Sequence, residues 1–259
     1  PGGSALPTGR RDVYEGRVIA AVVPAHNEAA HILDVIDGLP DVVDHIVIVD
    51  DKSTDDTAAL AESSRDPRVR VIRHEQNTGV GGAIISGHKL ALELGSDIDV
   101  IFAGDDQMDP TYLPALRDPI VHEGYGFTKA NRFYSSTSYQ GMPTYRVFGN
   151  VVLSLANKAA SGYWNLFDPQ NGYTATSAEV LRRLDLYSIS QGYEFENDYL
   201  LNLNILNVRA KDIPIPARYG AEVSGMKMRK VIPAIGGMLF AGFFRRVLRK
   251  YVVGSFSPI

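Results

Sequence analysis

The sequence predicts an α/β fold: a mostly parallel sheet with helices on both faces. Three observations predict it. Runs rich in Val and Ile without polar alternation begin at Arg17, His45, Val69 and Ile98, and such strands are buried on both faces. Helical patterns lie between them, giving the alternation of an α/β domain. Three runs also end in polar clusters: Pro24-Ala25-His26-Asn27-Glu28, Asp50-Asp51-Lys52-Ser53 and Asp105-Asp106-Gln107. Ligands of parallel sheets bind at the carboxyl ends of strands, so the convergence points to one site.

Taken in order, Arg17 to Val23 is an apolar strand closed by Pro24. Asn27 is placed to cap a helix running to about Gly38, with Ile32, Leu33 and Ile36 on one face. His45 to Val49 is the second strand, and Ser53 to Asp56 opens the second helix. Val69 to Arg73, Gly82 to Leu94 and Ile98 to Phe102 continue as strand, helix and strand. Met142 to Gly162 contains a long helix, followed by a loop rich in turn residues through Asp168 to Gly172. Glu194 to Leu206 is a helix with Glu194, Glu196 and Asp198 in its first turn, where acids suit the dipole. Val208 to Pro214 is an edge strand, because Pro214 cannot donate to a ladder.

Bulk properties bound the function. With 45% hydrophobic and 22% charged residues in 259, the chain has the composition of a globular domain rather than a disordered one. A net charge of −4 gives no argument for nucleic acid as a partner. The absence of cysteine excludes disulfides and thiolate metal sites, and is compatible with the cytoplasm. Residues 1–14 read as a flexible leader, 15–222 as the main domain and 223–259 as a basic tail. That tail holds no acid but carries Lys227, Arg229, Lys230, Arg245, Arg246, Arg249 and Lys250. No apolar run reaches the ~18 residues of a spanning helix.

The acidic run after Phe102 offers Asp105, Asp106 and Gln107 as hard oxygen ligands. Mg²⁺ and Mn²⁺ prefer such oxygens and bind through few protein groups plus substrate phosphates. A bland acidic turn is the alternative. Asp51 can accept from a nucleobase N–H, and His26 can lay its ring along a base. Asp55 reads as a structural cap. Gly79, Gly81 and Gly82 open a helix, where their amides can meet phosphate, or else allow close packing. The glycine spacing does not match a dinucleotide fingerprint, which would need a third glycine at Ile84. The other histidines read as surface or satisfied core residues.

VVPAHNEA, IVDDKSTDDT, NTGVGGAIISG and DDQMDP occur in an order and spacing that resemble a family 2 inverting glycosyltransferase of the GT-A fold. ANRF, MPTYRVFGN, DPQNGYTA, GYEFENDYL and IPARY resemble its polyprenyl-phosphate branch, which includes dolichol-phosphate mannosyltransferase. The resemblance covers about 18–230. It implies a UDP- or GDP-linked sugar donor, with Pro24, Ala25, His26, Glu28 and Asp51 lining the nucleoside pocket. Asp105 and Gln107 would hold the metal, and Arg132 or Arg146 would meet phosphates, since a guanidinium can bond them bidentately. Three positions depart from the family pattern: the first aspartate of D-x-D falls on Ala103, Asp106 takes a place more often held by glycine or another small residue, and a common basic residue of the glycine-rich turn is Val80.

The acceptor divides the readings. A sugar hydroxyl needs a carboxylate base, for which Asp168, Glu196 and Asp198 are candidates. A polyprenyl phosphate is already ionised and needs positioning beside arginines. The tail, Lys227 to Lys250, reads as one or two amphipathic helices for a membrane surface, with an ordinary packed helix as the alternative. It favours the lipid phosphate, at the cytoplasmic face, with membrane spans expected to follow as in related enzymes. The rivals are a saccharide-hydroxyl enzyme of the same family and, on the strength of Ala103, a nucleotide-sugar-binding protein without catalysis. A dehydrogenase is the distant third.

Overall fold

The computed structural model describes residues 14–134, 144–216 and 228–253. In chain order it runs β1 (Ile19–Ala25), α1 (Ile32–Gly38), β2 (His45–Asp50), α2 (Thr57–Ser63), β3 (Val69–Arg73), α3 (Gly79–Glu93) and β4 (Ile98–Ile101). There follow α4 (Leu113–His122), β5 (Phe127–Asn131), α5 (Thr144–Ser161), β6 (Thr174–Ser177), α6 (Ala178–Arg183), α7 (Phe195–Ile205), β7 (Ala210–Pro214) and α8 (Met228–Val247). The sheet order is β3-β2-β1-β4-β6-β5-β7. β1 to β4 pair in parallel, and β6 runs antiparallel to both β4 and β5. β7 closes the edge beside β5, as its proline predicts.

The side-chain period of two divides the apolar strands between two cores. Ala20, Val22, Val47, Val49 and Ile101 face α3 and α7. Ile19, Ala21, Val23, Ile46, Ile48 and Val100 face α1 and α4. β5 and β6, absent from the sequence reading, are polar for interior strands: Phe-Thr-Lys-Ala-Asn and Thr-Ala-Thr-Ser. Their polar groups are satisfied locally; Thr128, for example, donates to the Leu116 carbonyl at 2.6 Å. α4 escaped notice because Pro119 lies inside it.

The start of the first helix differs from expectation. Asn27 does not cap a helix: its backbone is left-handed (φ 61), and its side-chain oxygen accepts from the Thr54 amide at 2.8 Å. α1 begins only at Ile32. Asp55 plays the structural part it was read to have, one residue before the N-cap Asp56 of α2, accepting from the Thr57 amide at 3.1 Å and from the Ala29 amide at 3.1 Å.

α8 docks on α5 and α7, burying Ile235 and Leu239 against Ala160 and Leu201. Its cations are largely committed within the protein. Arg245 pairs with Asp198, and Arg246 donates to the carbonyls of Ala160 (2.7 Å) and Ala159 (3.1 Å) at the end of α5. Lys250 donates to the Asn204 carbonyl at 3.1 Å near the end of α7. Cations at helix C-termini complement the dipole. The helix thus follows the packed alternative on one face. On the other, Phe240 and Phe244 are exposed, and Leu248, Tyr251 and Val253 are exposed in the helical turn that follows α8. No described helix is long and apolar enough to cross a membrane. Lys227 lies outside the described residues, as do the side chains of Arg229 and Lys230.

Candidate active site

At the carboxyl ends of β1 and β2 lies a cavity of ≈ 370 Å³ lined by Pro24, Ala25, His26, Glu28, Asp51 and Gly79. All six were picked out in the sequence. Asn77, Val80 and Ala83 of the glycine-rich turn also line it, with Gly192 and Tyr193, and none of these five was named as a site residue. The His26 Nδ1 lies 2.9 Å from the Asp51 carbonyl. A carbonyl only accepts, so Nδ1 carries a proton and the ring is oriented by backbone.

Asp51 is buried, and its carboxylate organises the glycine-rich turn. One oxygen accepts from the Thr78 amide (2.8 Å), the Thr78 hydroxyl (3.0 Å) and His74 Nδ1 (2.8 Å). The other accepts from the Gly79 amide at 2.8 Å. Burial opposes ionisation, but the bonds from Thr78, His74 and Gly79 outweigh it and hold the carboxyl below its ordinary range. Only the second oxygen retains room for a ligand donor. His74, read as ordinary, is part of this arrangement; its separation of 23 residues from Asp51 left no local signal.

The glycines serve packing more than phosphate. The Gly81 amide donates to the Gln191 carbonyl at 3.1 Å, so it and the Gly79 amide are already used. An added Cβ at Gly81 would lie 2.7 Å from the Phe195 ring. Gly79 has φ +83, and an added Cβ there would lie 2.7 Å from the Gln191 carbonyl oxygen. Gly79→Ala is therefore expected to destabilise the protein by about 1–3 kcal/mol, measured as a lowered urea midpoint at unchanged slope.

The acidic loop after β4 connects the two halves of the site. An added Cβ at Gly104 would sit 3.2 Å from the Pro24 carbonyl, Ala25 Cβ and Glu28 Cγ, so the loop presses on the end of β1. Asp105 accepts from the Gln107 amide at 3.1 Å, and Asp106 is exposed with a left-handed backbone (φ 58). On its far side the Tyr173 hydroxyl donates to the Asp109 carbonyl at 2.9 Å. Asp105 to Gln107 therefore stand between the cavity and the loop carrying Asp168.

In that second half, Arg132 Nε and Nη2 bond Asp168 bidentately at 2.7 and 2.9 Å. The Arg132 side chain is 38% exposed and that of Asp168 4%. Burial opposes ionisation of Asp168, but the bonds and charge of Arg132, with the charge of Lys129, hold it below the ordinary carboxylate range. A low-lying, fully paired carboxylate anchors an arginine and makes a poor base. Arg146 lies in the first turn of α5 and its side chain is outside the described ones.

Asp198 is likewise an anchor. It accepts from the Ser190 amide (2.9 Å) and hydroxyl (3.0 Å) and pairs with Arg245, tying α7 to α8. Glu196 differs. It borders a small internal space with Lys129, Asn171 and Gly172, and burial pushes its carboxyl up to about 7, with Glu194 repulsion adding to the rise. A raised folded pKa means that the native state binds the proton more tightly. Stability is then present below the unfolded value of 4.5 and declines as pH rises toward about 7. Glu196→Gln is expected to flatten that decline in chemical denaturation series across the window.

The geometry thus gathers a cavity, an acidic loop and an anchored arginine along one sheet edge. A glycosyl transferase family 2 model matches residues 20–185. The chain is 32% identical to a UDP-N-acetylglucosamine–dolichyl-phosphate N-acetylglucosaminyltransferase of Methanococcus voltae, over 78% of this chain and 86% of that one. It is 30% identical to an undecaprenyl-phosphate mannosyltransferase of Micrococcus luteus, over 76% and 82%. Among solved structures it resembles glucosyl-3-phosphoglycerate synthase of Mycobacterium tuberculosis in complex with Mn²⁺, UDP and phosphoglyceric acid, with TM-score 0.67 and 25% identity over 91% and 80%. With this match over most of its length, these relatives and its GT-A architecture, the chain belongs to glycosyl transferase family 2.

Proposed function

We propose that this enzyme transfers a sugar, with inversion, from a nucleotide-diphosphate donor to a polyprenyl phosphate at the cytoplasmic face of a membrane. The observation that carries the reading is the partly exposed Arg132, oriented by Asp168, across the acidic loop from the cavity. The relatives named for dolichyl and undecaprenyl phosphate support the acceptor. A UDP-linked donor is the first to test, given the M. voltae relative and the UDP-bound neighbour.

The cavity holds the nucleoside, with His26 and Asn77 at its rim. Mg²⁺ or Mn²⁺ fits the hard oxygens of Asp105, Asp106 and Gln107. Among the described residues no three His, Asp or Glu side chains gather as a metal cage. The protein therefore supplies few ligands, and the diphosphate and water supply the rest. Bound there, the ion would offset the negative charge developing on the leaving diphosphate. Arg132 holds the acceptor phosphate, which is ionised already and needs alignment rather than deprotonation. The exposed aromatic face of α8 lies against lipid, and its packed cations contribute less there than the sequence suggests.

A hydroxyl acceptor is the second reading, and Glu196, with a carboxyl near neutrality, favours it. The pH dependence of transfer separates the two. A base at Glu196 gives a rate that rises through about 7 and a limb lost in Glu196→Gln; a phosphate acceptor leaves that variant's profile unchanged. Thermal shifts with UDP-glucose, UDP-GlcNAc, UDP-galactose and GDP-mannose, with and without Mn²⁺, test the donor half. A metal-dependent rise with one nucleotide class is expected, and no rise with any donor would refute it.

A further inference from the structure

We infer that Lys129 is a positioning residue of the acceptor half, an internal cation that sets Arg132 through the loop carrying Asp168. This rests on reading Arg132 as the acceptor-phosphate contact. Lys129 sits in the middle of β5 with a side chain 1% exposed. Its ammonium donates to the carbonyls of Phe167, Asp168 (3.1 Å) and Ala130 (3.1 Å), and lies 3.1 Å from Asp212 Oδ1. The other Asp212 oxygen accepts from the Phe167 amide (2.6 Å) and from Asn131 Nδ2 (3.1 Å). Residue 167 is thus held at both its carbonyl and its amide, by a cation and an anion respectively.

That grip has a purpose in the next residue. Asp168 is left-handed (φ 48), a conformation a non-glycine residue keeps only when its surroundings impose it. Lys129 binds the carbonyls on both sides of this strained Cα. The imposed backbone turns the Asp168 carboxylate onto Arg132 Nε and Nη2. Arg132 follows Lys129 by only three residues, directly after the end of β5, so both ends of the device are tied to one strand and its exit. A lysine whose sole task was to stabilise β5 would need a counter-ion, but not three carbonyls from the loop and strand end of the site. The burial that draws its pKa down, against the charges of Asp212 and Asp168, is the cost of placing a cation there.

Lys129→Met alone leaves Asp212 buried without its cation and is expected to fold poorly on that account alone; Lys129→Met/Asp212→Asn removes both charges and is the informative variant. Two readouts are taken on the full chain. Side-chain ¹⁵Nε NMR, with the Arg132 signal assigned by Arg132→Lys, reports the pair with Asp168 without any substrate. Steady-state kinetics with polyprenyl phosphate reports its consequence. The double variant is expected to fold, keep its donor-induced thermal shift, lose the distinct Arg132 signal, and lose about 10- to 100-fold in acceptor kcat/KM. Adding Arg132→Ala should cost little more, because the two act as one unit. A folded double variant with an unchanged Arg132 signal and full acceptor kcat/KM would overturn the inference. Loss of the Arg132 signal in a protein whose wild type transfers nothing to lipid phosphate would refute the acceptor assignment and leave the positioning role standing.

Discussion

Asp105→Asn is expected to lower transfer by about 10²-fold, because it removes a half-buried carboxylate of the acidic loop that is already held by the Gln107 amide at 3.1 Å. Asp106 and Gln107, the other ligands proposed, should hold the ion more weakly without it. Asp106 is exposed on a left-handed backbone, Ala103 has no side-chain oxygen to offer, and Asp109 caps the short turn that follows by accepting from the Thr111 amide at 2.9 Å. Asparagine keeps the acceptor for the Gln107 amide, so the loop should retain its shape. The loss should appear as a raised Mn²⁺ requirement, with the donor-induced thermal shift losing its metal dependence. Unchanged turnover at low Mn²⁺ would sink the metal assignment.

Asp168→Asn is expected to reduce acceptor kcat/KM by about 10- to 100-fold while leaving donor binding intact. The substitution keeps size and shape but removes the charge that orients the Arg132 guanidinium through two bonds. Charge-assisted bidentate pairs are roughly twice as strong as neutral ones, so about 1–3 kcal/mol of stability should go with it. The sign with pH is fixed. The folded carboxyl titrates below its usual range, so its contribution is complete above the unfolded value of 3.8. It is lost as pH falls through the lower folded value. Wild type and variant should therefore differ most at neutral pH and converge on acidification. A variant whose rate collapses by losing a basic limb, with acceptor KM unchanged, would make Asp168 a base after all.

Much of this site was legible because α/β sheets place function at strand ends, where abrupt changes of composition are easy to see. The apolar runs before Pro24, Asp50 and Asp105 gave both the parallel sheet and the face of the cavity. What sequence hid was of two kinds. β5 and β6 are interior strands built from polar residues, and their satisfaction depends on partners far away, such as Lys129 with residue 167. Charges were also misassigned by the company they keep locally. Arg245, Arg246 and Lys250 look like a lipid-binding cluster, yet each is engaged with α5 or α7. Asp198 looks like a base in a helix's first turn, yet it serves as the counter-ion of Arg245. Pairing across 47 residues leaves no trace in spacing.

The most direct test is radiolabelled sugar transfer, with the donor that stabilises the protein, Mn²⁺, and matched acceptors: polyprenyl phosphate, the corresponding polyprenol, and a soluble saccharide. The account predicts label in the lipid fraction with polyprenyl phosphate and with neither of the others, reduced by Asp105→Asn and by Asp168→Asn. Label on the saccharide or the polyprenol, with none on the lipid phosphate, would contradict it and assign the chemistry to a hydroxyl nucleophile.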